Sequence, residues 1–278
     1  MSNQKYYLPL IHRSKISFYP YFRLGGFGLG NILFPFFRAL CSSLKNGAIL
    51  LHPHYNQIQP RNFFRDLNIK SLRNYSFDFD KLKWISLSRE KSALIYYFNR
   101  FENETHINRK SNIVFCGLKN YFYDFIDDRQ TVRKFIYFSS RREFNLKINT
   151  VAIHIRLGDF LINNQSIEPL KIISSIEYFI NKSYKVEIYS DANKSKIIKY
   201  LNFSKILEKV IFVESKSPLN DIIQMSEAEY ICGSPYSTFV EWARFIRPDN
   251  LDLNSYSLIN KKIYESINIS PLEWSNFL

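Results

Sequence analysis

The chain has 278 residues, of which 46% are hydrophobic and 23% are charged. These fractions exclude a mainly disordered chain, and no window approaches the ~18 consecutive apolar residues of a membrane-spanning helix. The net charge of +13 is uneven: residues 1–150 carry 24 Lys and Arg against 10 Asp and Glu, whereas residues 151–278 carry 14 against 15. Length and charge asymmetry together predict two domains, residues 1–145 and residues 146–278, of which the first is basic.

The N-terminus and the cysteines predict the compartment. The first 22 residues contain neither the apolar segment nor the small-residue cleavage site of a secretory signal. Cys41, Cys116 and Cys232 are odd in number, widely spaced and outside any CxxC pair. That pattern argues against a disulfide framework and against a zinc site, so we expect a soluble protein of a reducing cytoplasm.

The first half predicts one βαβ unit. A strand at residues 16–24 runs into a glycine-rich turn, a helix follows at residues 30–44, and a second strand is expected at residues 48–51. Residues 56–109 show no firm period. The domain boundary is expected within residues 138–149, where a polar, basic segment precedes a run of β-branched residues.

The second half alternates strands with helices. The predicted strands are residues 150–155, 185–190, 210–213 and 229–232, and the predicted helices are residues 168–183, 193–203, 218–228 and 237–246. This alternation is typical of right-handed βαβ crossovers on a parallel sheet. The whole chain is therefore predicted to be α/β, with two Rossmann-like domains and a cleft between them.

Three segments with candidate functional residues each follow a predicted strand, where ligands of open α/β sheets bind. The first is the glycine-rich turn, residues 25–31, with Gly28 and Gly30 as candidate binding residues. Glycines at a strand-to-helix turn let the backbone approach a ligand and direct free N–H groups at it. The turn matches neither the GxGxxG fingerprint nor the P-loop. The structural alternative is a tight turn that requires positive φ.

The second segment is HIRLGD, residues 154–159. Side chains alternate along a strand, so His154 and Arg156 are expected on the same face. An imidazole and a guanidinium at the end of a buried strand are costly without an anionic partner, and arginine pairs bidentately with phosphate oxygens. Asp159 adds a carboxylate in the turn. The structural alternative is an Arg156–Asp159 ion pair.

The third segment places Ser234, Ser237 and Thr238 between a strand and a helix. Hydroxyls and free amides at a helix N-terminus form a phosphate-binding site, although ordinary N-capping explains them as well. Asp191, at the end of another strand, would accept hydrogen bonds from a ribose or base, or cap the next helix. Together the segments predict a nucleoside diphosphate site in the interdomain cleft.

Four blocks in this order resemble the bacterial α-1,2-fucosyltransferases, glycosyltransferase family 11. The blocks are GLGNILF at residues 28–34, HIRLGD at residues 154–159, YSD at residues 189–191, and residues 225–243, which include STF and WA. The resemblance implies a GT-B-like fold and an inverting, metal-independent transfer of L-fucose from GDP-β-L-fucose. The implied acceptor is galactose O2 of a surface glycan such as an O-antigen, and no cofactor is implied.

The resemblance also implies roles for individual residues. Arg156 would neutralise the β-phosphate as the glycosidic bond breaks, Asn31 would face the reacting centre, and Asp159 would act as the base or hold Arg156. The implied nucleotide contacts are His154 along the nucleotide, Asp191 at the guanosine, and Ser237 and Thr238 at phosphate oxygens.

Two departures from the family pattern leave alternatives open. Leu157 stands where many members have a second arginine, and Ala192 stands where many have a second aspartate. One alternative is a transferase for a related GDP-deoxysugar such as GDP-colitose, and another is a protein that binds a GDP-sugar without turnover.

The basic first half leaves a further choice of partner. It favours peripheral contact with an anionic inner membrane and a polyprenyl-diphosphate-linked acceptor. The alternatives are a solvated basic surface without a partner, and a nucleic-acid-binding protein. No RRM, KH or helix-turn-helix signature supports the second of these, so we expect no nucleic acid partner.

Overall fold

The computed structural model describes residues 4–10, 17–19, 22–24, 28–53, 56–58, 72–74, 87–104, 112–140, 142–157, 169–214, 217–233 and 237–248. The chain divides into two compact units, Met1–Arg141 and Arg142–Leu278. Each unit contains a parallel sheet and helices, which confirms the α/β class. The cleft concerns the arrangement of the two units and stays a prediction. No helix in the described part of the chain is long and apolar enough to cross a membrane.

The first unit contains two small sheets. Its strands are β1 (Tyr6–Leu10), β2 (Ser17–Phe18), β3 (Phe22–Leu24), β4 (Ile49–Leu50), β5 (Asn56–Ile58), β6 (Leu72–Asn74), β7 (Glu102–Asn103) and β8 (Ile113–Cys116). Strands β4, β1, β8 and β7 form, in that order, a parallel sheet. Strands β2, β3, β5 and β6 form a mixed sheet.

The helices of the first unit carry an aromatic core. They are α1 (Leu29–Asn46), α2 (Arg89–Phe98) and α3 (Arg129–Ser139), with a 3₁₀ segment at Tyr121–Asp128. Helix α1 ends at Gly47, whose φ of 62° is the left-handed conformation that glycine adopts without strain. Buried rings of α1 meet rings of the 3₁₀ segment and α3; they are Phe34, Phe36, Phe37, Phe122, Phe125 and Phe135. These buried rings therefore serve packing.

The predicted helix at 30–44 and strand at 48–51 are confirmed, but the first strand of the βαβ unit was wrong. Within the predicted strand, Ser17–Phe18 and Phe22–Leu24 form the antiparallel pair β2 and β3 in the mixed sheet, whereas β4 pairs with β1. Strand β1 lies between β4 and β8 although it contains Pro9. Proline is rare inside a central strand, which is why the sequence pattern did not indicate β1.

A buried arginine links α1 to the chain that follows β8. Arg38 is 5% exposed. Its guanidinium donates to the carboxylate of Glu104 from Nε at 3.1 Å and from Nη2 at 3.3 Å. It also donates to the carbonyl oxygens of Cys116, Gly117 and Leu118 at 3.1, 2.8 and 3.2 Å. One side chain thereby supplies hydrogen-bond donors to three consecutive backbone carbonyls at the end of β8 and just after it.

The second unit follows the predicted alternation. Its strands are β9 (Lys147–Ile155), β10 (Lys185–Ser190), β11 (Ile211–Phe212) and β12 (Ala228–Gly233), and its helices are α4 (Pro169–Asn181), α5 (Lys194–Tyr200), α6 (Pro218–Ser226) and α7 (Thr238–Phe245). All four strands are parallel, in the order β11-β10-β9-β12. Every predicted element of this half is present, with small differences at the ends.

The strand order places a topological switch in this sheet. The chain moves from β9 outward through β10 to β11 and then returns to the other side of β9 as β12. One face of β9 is apolar: Val151, Ile153 and Ile155 lie in a core shared with α4 and α5. His154 therefore lies on the opposite face. Open α/β sheets bind ligands at the carboxyl edge where the strand order reverses, so the ends of β9 and β12 are the expected ligand position in this unit.

Candidate functional site

The carboxyl edge of the second unit brings two of the predicted segments together. In the register of the sheet, His154 of β9 is paired with Gly233, the last residue of β12, and with Tyr189 of β10. The His154 ring stacks on Phe239 in the first turn of α7, with centroids 5.1 Å apart and planes 30° apart. His154 of the HIRLGD segment and the start of α7 thus meet at the switch point.

His154 is buried with a polar ring atom that no described residue contacts by a hydrogen bond. The residue is 5% exposed, and among the described residues its Nδ1 has no hydrogen-bond partner. Burial, followed by the positive charge of Arg156, lowers the pKa of His154 from 6.5 to about 3, so the ring is neutral at pH 7. A buried polar atom without a partner costs about 1–3 kcal/mol. Such a cost is expected where a ligand supplies the missing partner.

Ser237 also has a buried polar atom without a hydrogen-bond partner in the described chain. It is the N-cap of α7 and is fully buried, yet its side chain makes no capping bond. Within the described chain its Oγ has no hydrogen-bond partner. The N-caps Ser88, Asn193 and Ser217, in contrast, each accept a bond from the backbone N–H three residues on. Ordinary N-capping, the alternative raised by the sequence, is therefore not what the Ser237 hydroxyl does.

Two further predicted residues flank this position. Arg156 is the first residue after β9 and is half-buried, so its charge lies at the carboxyl edge beside the imidazole. Thr238 is the first residue of α7 and is also half-buried. The free amides of a helix N-terminus attract anions. A guanidinium, a helix start and two buried polar atoms thus converge on one sheet edge.

Asp191 has a different contact from those predicted. Its Oδ1 accepts a hydrogen bond from the backbone N–H of Leu157 at 2.9 Å. It does not cap the following helix, because the N-cap of α5 is Asn193. Its predicted contact with guanosine stays a prediction. Asp191 is exposed and ties the end of β10 to the chain that leaves β9.

The predicted residues of the glycine turn lie in the first unit. Gly28 is the N-cap of α1, with φ −72° and ψ −179°, and its carbonyl accepts bonds from the N–H groups of Asn31 and Ile32 at 3.1 and 3.3 Å. Gly30 and Asn31 are in the first turn of the helix. The positive φ that the sequence alternative required is therefore wrong for Gly28. Asn31 is half-buried.

Two predicted residues cannot be placed. Asp159, the predicted base, and Ser234, a predicted phosphate contact, lie outside the described residues. Within the described ranges, no group of three or more His, Cys, Asp and Glu side chains is arranged to hold a metal ion. Metal independence stays a prediction.

Sequence reasoning missed two residues of this edge, Gly233 and Phe239. A Cβ on Gly233 would lie 2.5 Å from Cγ2 of Val240, so only glycine lets α7 pack this closely on the end of β12. The available signal was the glycine between a predicted strand and a predicted helix. Phe239 lies within the STF block, but nothing local indicates that it stacks on His154.

Gly233→Ala is expected to destabilise the protein by about 1–3 kcal/mol, as overpacking of a tight core does. Val240 is 1% exposed and is β-branched, so it cannot turn away from the added methyl group. Urea unfolding of the two single variants and of Gly233→Ala with Val240→Ala measures the coupling. We expect the double variant to lose less than the sum of the single losses. Simple additivity would contradict the proposed contact.

The depressed pKa of His154 predicts an acid-sensitive stability. Between pH 6.5 and about 3 the unfolded chain binds a proton that the folded chain does not. The unfolding free energy therefore falls as the pH drops through this window, by at most about 1.4 kcal/mol per pH unit from this one group, and is unaffected by it at higher pH. His154→Phe keeps an aromatic ring beside Phe239 but cannot titrate. Urea unfolding across the window should show a shallower pH dependence in the variant; parallel curves would contradict the assignment.

No family model and no curated protein sequence matches the chain. Among solved structures, the chain is similar to NodZ α-1,6-fucosyltransferase soaked with GDP-fucose, at 15% identity and a TM-score of 0.42, over 88% of this chain and 93% of that one. POFUT1 in complex with GDP-fucose is 12% identical, with a TM-score of 0.42, over 89% and 95% of the two chains. The fucosyltransferase NodZ from Bradyrhizobium is 14% identical, with a TM-score of 0.39, over 88% and 94%. These are partial resemblances of fold at low sequence identity.

Proposed function

We propose that the chain is an inverting glycosyltransferase that moves L-fucose from GDP-fucose to a hydroxyl of a surface glycan, with galactose O2 as the acceptor atom. One observation carries the proposal. His154 Nδ1 and Ser237 Oγ are both buried, and neither has a partner in the described part of the chain. They belong to the two motif blocks that meet at the switch point of the second unit.

The chemistry of this edge suits a diphosphate. Arg156 offers a planar, permanently charged fork for phosphate oxygens, and the start of α7 offers the positive end of a helix dipole. The Ser237 hydroxyl and the neutral His154 ring add hydrogen-bonding atoms that a bound nucleotide would satisfy. A pairing of Arg156 with Asp159, which lies outside the described residues, stays the structural alternative.

The proposed mechanism is a single displacement. As the bond between C1 of fucose and the β-phosphate oxygen breaks, negative charge grows on the phosphate. Arg156 stabilises that charge, with Thr238 and the α7 amides beside it. The acceptor hydroxyl attacks from the opposite face and loses its proton to a base, for which Asp159 is the proposed group. Asn31 of the first unit is proposed to face the reacting carbon. In this mechanism the guanidinium of Arg156 supplies the positive charge at the phosphate that a metal ion supplies in other transferases.

The donor sugar and the place of action are finer proposals. GDP-fucose is favoured over a related GDP-deoxysugar such as GDP-colitose by the four motif blocks. A net charge of +14 on residues 1–150 supports peripheral contact with anionic lipid and a polyprenyl-diphosphate-linked acceptor of O-antigen type. Absence of binding to vesicles of anionic lipid at low salt would remove the membrane part of this proposal.

Calorimetric titration with GDP, UDP and CMP in the presence of EDTA tests the nucleotide site. We expect GDP to bind without metal and the other two nucleotides to bind more weakly. Ser237→Ala should weaken GDP binding by about tenfold, roughly 1.4 kcal/mol. The same variant should not destabilise the free protein, because the lost hydroxyl makes no bond there. Its removal should instead raise the stability of the free protein, by up to about 1–3 kcal/mol.

The matched control is Ser217→Ala, which removes an N-cap bond made within the protein. It should lower stability by about 0.5–2 kcal/mol and leave GDP affinity unchanged. Binding of UDP or CMP in preference to GDP would overturn the donor assignment. A salt-dependent RNA complex without any nucleotide binding would replace the proposal by a nucleic-acid-binding function.

A further inference from the structure

We propose that Ser190 and Asp191 are positioning residues that hold the backbone on both sides of Arg156. The inference rests on the proposed function, because it takes Arg156 to be the group that meets the donor phosphate. It assigns to the end of β10 a role that does not require contact with the nucleotide.

The two side chains bind the chain immediately before and after Arg156. Ser190 Oγ donates to the carbonyl oxygen of Ile155 at 2.6 Å and accepts from the N–H of Ala192 at 3.1 Å. Asp191 Oδ1 accepts from the N–H of Leu157 at 2.9 Å. Both neighbours of Arg156 are therefore bound by the last residue of β10 and by the residue that follows it.

This arrangement begins where the sheet ends. Pairing of β9 with β12 stops at His154 and Gly233, and pairing with β10 stops at Ile155 and Ser190. The sheet ladder consequently leaves Arg156 and Leu157 outside it. The hydrogen bonds made by Ser190 and Asp191 connect this segment to the end of β10 beyond the last paired residues of the sheet. A reacting group displaced by about 1 Å can lose about 100-fold in rate, so such a hold has functional weight.

A direct role of the Asp191 carboxylate in binding the nucleotide is the competing explanation, and the two differ in what they require. A direct role requires the negative charge or both oxygens. Positioning requires only an acceptor oxygen at the place of Oδ1. Asp191→Asn and Asp191→Ala both remove the charge, but only the asparagine keeps an acceptor for the N–H of Leu157. The two variants are therefore matched in charge.

The experiment combines GDP calorimetry with amide hydrogen exchange at Leu157, measured by NMR on the full chain. We expect Asp191→Ala to weaken GDP binding about tenfold, which is about 1.4 kcal/mol, and to speed exchange at Leu157 at least tenfold. Asp191→Asn should stay within about threefold of the natural protein in both measurements. Ser190→Ala should shift GDP binding in the same direction as Asp191→Ala. Asp191 is exposed, and melting temperatures verify that each variant is folded.

Two outcomes would overturn the inference. One is unchanged exchange at Leu157 in Asp191→Ala. The other is an asparagine variant that binds GDP as weakly as the alanine variant while Leu157 stays protected, which would show that the carboxylate acts directly. Failure of the proposed function looks different: the natural protein would bind no GDP, or Arg156→Ala would bind it normally. The exchange comparison would still decide whether Ser190 and Asp191 hold this segment.

Discussion

Replacing Arg156 by alanine is expected to lower transfer from GDP-fucose by about 100-fold or more, the loss typical of removing one group that stabilises transition-state charge. GDP affinity should fall at least about tenfold, or ~1.4 kcal/mol. The rate is expected to fall more than the affinity because, in the proposed mechanism, charge on the β-phosphate grows as the glycosidic bond breaks. Arg156 lies directly after β9, next to the buried His154 and the strand end that faces α7.

One variant separates the charge of Arg156 from its shape, and a second is the matched control. Arg156→Lys keeps the charge but loses the bidentate fork, so it should recover part of the affinity and less of the rate. Arg142→Ala removes an exposed arginine of the same unit and should change neither quantity. Calorimetry with GDP and a radiolabelled transfer assay measure the effects. Equal losses in Arg156→Ala and Arg142→Ala would contradict a specific phosphate contact.

Arg38→Ala is expected to destabilise the first unit by about 3–5 kcal/mol, because it removes one partner of a buried ion pair. The Glu104 carboxylate, whose side chain is 11% exposed, would lose the guanidinium, although Lys119 lies 3.4 Å from its other oxygen. The carbonyl oxygens that follow β8 would lose their donor as well. Nη1 of Arg38 also lies 3.6 Å from Oδ2 of Asp124, so Asp124 would lose a neighbouring positive charge.

Urea unfolding measures this loss, and hydrogen exchange of the β8 amides assigns it to the first unit, since a chain of two units need not unfold in one step. Lys134→Ala, which removes an exposed cation from α3, is the matched control and should fall within about 0.5 kcal/mol of the natural protein. Arg38→Met combined with Glu104→Gln removes both charges and should lose less than Arg38→Ala. Identical midpoints for Arg38→Ala and Lys134→Ala would show that the buried pair contributes no stability.

The elements of the second unit could be predicted well because their signals are local. Each strand is a short β-branched run, and each helix carries its own apolar period and start residue; Pro218 at the beginning of α6 is one example. The first unit was harder to predict because two of its features contradict local rules. Proline lies in the central strand β1, and the predicted single strand at residues 16–24 contains two antiparallel strands, β2 and β3.

The candidate site could be predicted in part for the same reason. His154, Arg156 and Ser237 were recognisable as residue types placed after strands, where parallel sheets bind ligands. The contact of Asp191 with Leu157 was not recognisable, because a hydrogen bond between the ends of two strands depends on their register. Gly233 was missed because its importance lies in the approach of Val240, which belongs to the next helix.

The sequence by itself determined the α/β class and the uneven charge, and it carried the prediction of a diphosphate site, since each depends on composition or short-range spacing. Only the tertiary structure decided that β12 returns beside β9, so that Phe239 stacks on His154. It also decided that the Ser237 hydroxyl is buried without capping its helix. Strand order and burial arise from packing between residues far apart in the chain. No local sequence pattern therefore indicates which buried polar atoms remain without a hydrogen-bond partner after that packing.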